Sequence, residues 1–245
     1  MKRFLTLIYI CCITVCFSGC VVVFLNFFEF NLLTGQGEIR SYPIRVNEFS
    51  KIYIEGNINI DYSAGFSDSV ILDIQPNLRN NINIYVLNDE LRILIPKPFS
   101  SGTKTPVLTV SSYLLEQLTI NGIVGFTSNN PMPVGSFKII QNGSSKGTVE
   151  LDVRSLYIDI SGTGSLALFG QSDFLDVVMS GKTSLYASHL DSYEAVLELS
   201  ENSYAEVNVW NFLEVTASDS AQVVYSQSPA IEQNLSGRAT VIADN

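Results

Sequence analysis

Residues 156–168 read Leu-Tyr-Ile-Asp-Ile-Ser-Gly-Thr-Gly-Ser-Leu-Ala-Leu. Apolar and polar side chains alternate on both sides of the Ser161-Gly162 pair, which is the period-two pattern of half-buried β-strands. The pair suits a tight bend, because Gly reaches positive φ freely and Ser bonds to nearby backbone. This stretch therefore predicts a strand, a turn and a second strand.

The same unit recurs through the second half of the chain. A small polar residue followed by Gly or an acidic residue recurs every 18–21 residues. The seven pairs are Asn121-Gly122, Asn142-Gly143, Ser161-Gly162, Ser180-Gly181, Ser200-Glu201, Ser218-Asp219 and Ser236-Gly237. A near-constant period of this size is typical of stacked units that bury their apolar faces only against each other.

The repeat predicts an all-β fold, a right-handed parallel β-helix or β-solenoid with coils of about 19 residues. Residues one, three and five places before each turn are expected to point inward. Only Glu116, Gln141 and Gln233 are polar among these 21 positions. An antiparallel sandwich or barrel also has short, evenly spaced strands, but the constant character of equivalent positions favours the solenoid. We place the repeated region at residues 111–245.

Residues 36–110 form a second β-rich region, which lacks the period of the repeats. The stretch 51–61 alternates around a Gly-Asn pair, and Asn88-Asp89 between two apolar runs predicts a hairpin turn. We expect this region to cap the solenoid, since an open end of a parallel stack exposes unpaired backbone groups.

The N-terminus has the pattern of a targeting segment. Residues 1–20 resemble a lipoprotein-type signal peptide, in which basic residues precede an apolar run and Cys20 is lipidated. The alternative is an uncleaved membrane anchor to about residue 28, because residues 21–25 prolong the apolar run. We expect an outer-membrane or cell-surface lipoprotein, or else a periplasm-facing protein anchored in the inner membrane. Either arrangement makes the membrane a partner.

Composition excludes several classes of function. All four cysteines, Cys11, Cys12, Cys16 and Cys20, lie in the leader, so the body has no thiol metal site. The net charge is −10, and residues 117–245 contain only five Lys and Arg. Nucleic acid is therefore not an expected partner, since its backbone requires clustered cations. We assign no metal site, no cofactor and no catalytic residue.

Over residues 35–245 the chain resembles the bacterial auto-transporter adhesin head GIN domain family of Bacteroidetes. The residues that carry the resemblance are the lipoprotein-like leader, Gly35-Gln36-Gly37 followed by 49–62, and the Ser-Gly turns, best matched by 161–164. Ser200-Glu201 and Ser218-Asp219 depart from the pattern by lacking the glycine. The resemblance implies a β-helical surface protein with no known catalytic or binding residues.

Three classes of function follow. The first is a non-catalytic binding or adhesion protein that contacts a glycan or a host or envelope protein, with outward aromatics as the stacking platform. The candidate ligand-binding residues are Tyr157, Tyr186 and Tyr204, and Tyr193 and Trp210 are outward aromatics of the same kind. Tyr at exposed strand positions is also explained by β propensity alone.

The second class is a structural or sensing envelope protein without a diffusible ligand. The third is a polysaccharide-active enzyme. Asp159 and Glu198 occupy equivalent positions two coils apart, which places them about 9–10 Å apart, at the edge of the range for inverting glycosidases. No basic residue accompanies them, and we expect no enzyme.

Overall fold

The computed structural model describes residues 32–102 and 104–244, so the predicted signal peptide or anchor, with Cys20, lies outside the described residues. The solenoid forms within one compact unit, Thr34–Asn245. Within the described ranges, no helix combines the length and the hydropathy that a bilayer span requires.

In the described residues, regular structure consists of strands and one short 3-10 helix, η1 (Pro76–Asn81). The strands up to residue 112 are β1 (Leu33–Thr34), β2 (Arg40–Ile44), β3 (Lys51–Ala64), β4 (Ser69–Ile74), β5 (Asn83–Leu87), β6 (Glu90–Leu94), β7 (Phe99–Ser100) and β8 (Val107–Ser112). The later strands are β9 (Gln117–Ser128), β10 (Met132–Gly143), β11 (Lys146–Gly162), β12 (Ser165–Met179), β13 (Ser184–Leu199), β14 (Tyr204–Ala217), β15 (Gln222–Ser226), β16 (Ala230–Leu235) and β17 (Thr240–Ala243).

From β9 onward the strands stack in parallel, each on the strand one coil away, and the solenoid has about seven turns. One ladder position runs through Ile139, Ile158, Val177, Leu197 and Val215, all of which are buried. The parallel solenoid with coils of about 19 residues is therefore confirmed, and its right-handed sense stays a prediction.

Four of the predicted inward positions are not buried, for two structural reasons. Glu116 is exposed, because the ladder begins one residue later, at Gln117. Gln233 is exposed too, and its neighbours Ile231 and Leu235 are each 37% exposed. These three lie on β16, whose only described pairing is with β14, so the outer face of this last coil is not covered.

Positive-φ residues form the corner after the first segment of each coil. Gly122, Gly143 and Gly162 have φ of +120°, +102° and +94°. A Cβ on Gly143 would lie 2.6 Å from the carbonyl oxygen of Gly122, so stacked corners leave no room for a side chain here. The two turns without glycine make the same bend in the left-handed region, with φ of +61° at Glu201 and +60° at Asp219.

The region before β9 closes the other end of the ladder. One edge of β3 pairs in parallel with β9, and its other edge pairs in parallel with β6 and β8. Beyond these, β5, β4 and β2 pair antiparallel, and the hairpin turn between β5 and β6 is at Asn88-Asp89, as predicted. Residues from both parts share one core, in which Ile54, Leu72 and Leu78 are fully buried.

Candidate functional site

Each coil has a first side ahead of the corner, a second side after it, and a short third side before the next coil begins. In β12 the third side starts at Gly170, where φ is +105° and a Cβ would lie 2.0 Å from the backbone oxygen of Leu151. Residues 171–173 then follow before the chain turns again, and 171 and 172 pair with both neighbouring coils. The third side is thus much narrower than the other two.

A groove of about 500 Å³ runs along this third side. One column of its lining follows the ladder through Pro133, Asp152, Gln171 and Asp191. A second column lies two residues further along each coil and holds Gly135, Arg154, Asp173, Tyr193 and Trp210. The groove therefore spans five coils, with its charged side chains on the middle three and its aromatic side chains on the last two.

The floor between the two columns follows the ladder through Val134, Val153, Ser172 and Ser192, and its two serines form a buried hydroxyl pair. Ser172 and Ser192 are 4% and 0% exposed, and their Oγ atoms are 3.1 Å apart in a hydrogen bond. On the first two sides the equivalent inward positions are almost all apolar. Because each hydroxyl satisfies the other, the narrow third side avoids the cost of unpaired buried polar groups.

Amide and indole donors orient two carboxylates at the groove. Gln171 Nε2 donates to Asp152 Oδ1 at 2.8 Å, and Asn208 Nδ2 donates to Asp191 Oδ1 at 2.7 Å. Trp210 Nε1 also donates to Asp191 Oδ1, at 3.4 Å. An ionised carboxylate has about four lone-pair sites, so both groups keep acceptor capacity for a ligand.

The charges of the groove are mostly negative. Three carboxylates, Asp152, Asp173 and Asp191, face one cation, Arg154. The ion pairs of the described residues are Arg92–Glu90 and Lys104–Glu38, and neither involves Arg154. The guanidinium is therefore available to donate hydrogen bonds into the groove.

Tyr193 and Trp210 are large aromatic side chains left open to solvent, each 56% exposed. They occupy the same column on adjacent coils. The bond to Asp191 restrains the Trp210 indole, so its ring is held in place before any ligand arrives. Exposed, restrained aromatic rings beside convergent polar groups are typical of binding sites.

A protein family described as "Putative auto-transporter adhesin, head GIN domain" matches residues 48–229, which include the whole groove. The chain belongs to this family. The match confirms the resemblance drawn from the leader, the opening segment and the Ser-Gly turns. No match is found among curated proteins.

Solved structures share the fold of this GIN domain. A putative adhesin from Bacteroides fragilis has a TM-score of 0.80 at 18% identity, covering 86% of this chain and 98% of that one. A putative adhesin from Parabacteroides merdae has a TM-score of 0.71 at 16% identity, covering 87% and 99%. A putative lipid binding protein from Parabacteroides distasonis has a TM-score of 0.66 at 16% identity, covering 88% and 100%.

The three tyrosines singled out in the sequence lie on two different sides of the GIN domain. Tyr186 and Tyr204 meet on the second side, with ring centroids 6.1 Å apart and planes tilted by 55°. Tyr157 lies on the first side, paired in the ladder with Lys138 and Asp176. The groove lies on neither of these sides.

Tyr204 is held by a hydrogen bond from its hydroxyl to the Glu206 carboxylate. Desolvation, followed by this hydrogen bond and the Glu206 charge, raises the pKa of Tyr204 to about 12. The side chain therefore stays neutral at physiological pH, and its hydroxyl is already engaged.

The acidic pair considered for catalysis is in the predicted register. Asp159, Val178 and Glu198 follow one another on adjacent coils of the first side. Val178 separates the carboxylates, and they lie outside the groove. In the part of the chain that the structure describes, no group of three or more His, Cys, Asp or Glu side chains could hold a metal ion.

Sequence reasoning missed the groove because it could not tell which outward residues share a side. Tyr193 and Trp210 stood among five outward aromatics with nothing to group them. The available signal was the spacing, since Arg154, Asp173, Tyr193 and Trp210 follow one another about one coil apart in the sequence.

Proposed function

We propose that the protein is a non-catalytic binding module of the bacterial cell envelope that holds its ligand in the third-side groove. The observation that carries the proposal is the pair of exposed rings, Tyr193 and Trp210, beside oriented carboxylates. The family description, and the naming of the similar structures as putative adhesins and a putative lipid binding protein, support a binding role.

The hydrogen bonds that engage two of the groove's carboxylates support binding rather than glycan cleavage. Hydrolysis needs an acid and a second carboxylate on opposite sides of the scissile bond. Here Asp152 and Asp191 lie in one ladder column, two coils apart, and both are engaged by amide donors. This supports recognition over turnover.

Attachment of cells that display the full chain tests the proposal. Cells carrying wild type should adhere to immobilised glycans or matrix proteins, and the Tyr193→Ala/Trp210→Ala double variant should lose that adhesion. The matched control is Tyr157→Ala/Tyr186→Ala, which removes two exposed aromatic rings from the other sides and should adhere normally. Equal adhesion by wild type and the groove variant, at equal surface display, would refute the assignment.

We further propose that Cys20 is lipidated and that the lipid anchors the body at the outer membrane or the cell surface. The pattern of basic residues, an apolar run and Ser18-Gly19-Cys20 supports this. Cys20→Ser should abolish lipid-dependent mass and cleavage of the leader, as measured by mass spectrometry and membrane fractionation. An unchanged mass and membrane fraction would instead indicate an uncleaved anchor.

A further inference from the structure

We propose that the groove binds an uncharged saccharide chain lying parallel to the solenoid axis across several coils. This inference rests on the proposed function, since it names the ligand class of the same groove. It draws on three properties of the groove: its aromatic rings, its charge and its length.

The rings provide the apolar half of the recognition. A pyranose has faces of C–H groups and an edge of hydroxyls, so it packs against an aromatic ring while its hydroxyls remain free for hydrogen bonds. Trp210 and Tyr193 each present a largely open side chain in the groove. The Nε1 bond to Asp191 restrains the indole, which lowers the entropy lost on binding.

The polar groups provide the other half. Carboxylate oxygens accept hydrogen bonds from hydroxyls, and bonds to an ionised acceptor are stronger than neutral ones. Asp152 and Asp191 already have fixed orientations from Gln171 and Asn208. Arg154 is a donor outside the described ion pairs and suits ring or hydroxyl oxygens.

The sign of the charge selects the class of sugar. Asp152, Asp173 and Asp191 outnumber Arg154, and the whole chain has a net charge of −10. Uronate, sulfate or phosphate groups would be repelled by these carboxylates. The same argument disfavours an anionic lipid headgroup, so the groove fits a ligand rich in hydroxyls and without charge.

The length of the groove selects a chain over a single sugar. The column from Gly135 to Trp210 crosses five coils. At about 4.8 Å between adjacent strands, it is roughly 19 Å long. A single ring covers only part of this length, whereas an extended oligosaccharide reaches both the aromatic rings at one end and the charged side chains of the middle coils.

The test uses the full chain solubilised in a detergent without a sugar head group. Xylo- and manno-oligosaccharides, from disaccharide to hexasaccharide, are titrated by calorimetry beside oligogalacturonates of the same lengths. We expect saturable binding of at least one neutral series, affinity that increases with length, and no binding of the anionic series.

Variants then locate the binding. Trp210→Ala should weaken binding about tenfold, the scale of one lost aromatic contact, whereas Trp210→Phe should retain most of it. Tyr157→Ala is the matched control and should bind as wild type. Asp173→Lys should admit oligogalacturonate, because it reverses the sign at the centre of the groove.

Each contrary result has a distinct meaning. Oligogalacturonate that binds more tightly than the neutral series, and is lost in Trp210→Ala, overturns the ligand class but keeps the groove as a binding site. Cell adhesion that depends on Tyr193 and Trp210, without binding of any saccharide, overturns the saccharide and indicates a protein partner. Saccharide binding unaffected by Trp210→Ala overturns the site and with it the function proposed above.

Discussion

The same ladder position is buried near one end of the solenoid and partly exposed at the other. Ile54 on β3 and Leu235 on β16 belong to one column, which runs through Ile120, Gln141 and Ile160 in between, and Ile93 on β6 covers Ile54 on its other side. Ile54 is fully buried, and Leu235 is 37% exposed. The sequence places an apolar side chain at both ends, so the difference arises from what covers them.

The capped end turns its parallel ladder into short antiparallel pairs. Strands β6 and β8 cover the outer edge of β3, and β5 and β4 cover those in turn. At the other end, β16 and β17 offer exposed backbone edges with apolar side chains beside them. The last strand of a parallel stack always has an unpaired edge. At one end of this solenoid, the segment between β3 and β9 covers that edge.

The largest expected effect is a charge placed at each end of the shared column. Ile54→Asp would bury an unpaired carboxylate against Ile93 and Ile120, at a cost of about 3–5 kcal/mol. Leu235→Asp leaves its carboxylate in contact with water and should cost less than about 1 kcal/mol. Urea unfolding midpoints measure both, and similar shifts would mean that the two ends are equally enclosed.

A smaller effect is expected at the corners. Gly143 has Gly122 on one side and Gly162 on the other, so Gly143→Ala would force a Cβ against backbone that cannot retreat. We expect a loss of about 2–3 kcal/mol. Gly237 lies in the last coil at φ +68°, where a Cβ would lie 2.9 Å from the carbonyl oxygen of Asp219 rather than the 2.6 Å found at Gly143, so Gly237→Ala should cost less, about 1 kcal/mol. Thermal unfolding of the two variants compares the tighter corner with the looser one, and equal losses would mean that the closer backbone contact at Gly143 adds no cost.

The smallest effect on stability, with a clear effect on association, is expected at the open edge. Leu235→Lys should change the free energy of unfolding by no more than about 0.5 kcal/mol, since the side chain already contacts solvent. It should reduce self-association at high concentration, because charged side chains protect exposed strand edges. Light scattering over a concentration series measures this. Val178→Lys, on a covered strand, is the control, and an equal reduction there would attribute the effect to net charge.

The repeated coils could be predicted from the sequence alone because every coil has the same alternation of apolar and polar residues. Alternation before the turns placed Ile158, Val177 and Leu197 in the core, and Asn88-Asp89 marked the one hairpin turn that was predicted. These features depend on local chemistry repeated at a fixed period, which one sequence is enough to show.

The rest depended on neighbours that the local pattern does not encode. Ile231 has the alternation of an inward residue and lacks only a covering coil. The third side is too short to show a clear alternation of apolar and polar residues, and two of its inward residues, Ser172 and Ser192, are polar. The grouping of Tyr193 with Trp210 follows from that side and could not be predicted without it.

The pairing of β3 with β9 also affects the order in which strands can pair during folding. Within the repeats a strand finds its partner nearby, as Gln141 pairs with Ile160 on the next coil. Lys51 pairs with Gln117 across the whole region that contains β4 to β8, and closing that longer loop costs about 1 kcal/mol more in chain entropy. During synthesis the first long strand must therefore wait for the intervening chain, while each later coil can dock as soon as it is made. The slow step of folding is expected to be closure of the cap, the part of the ladder that is synthesised first.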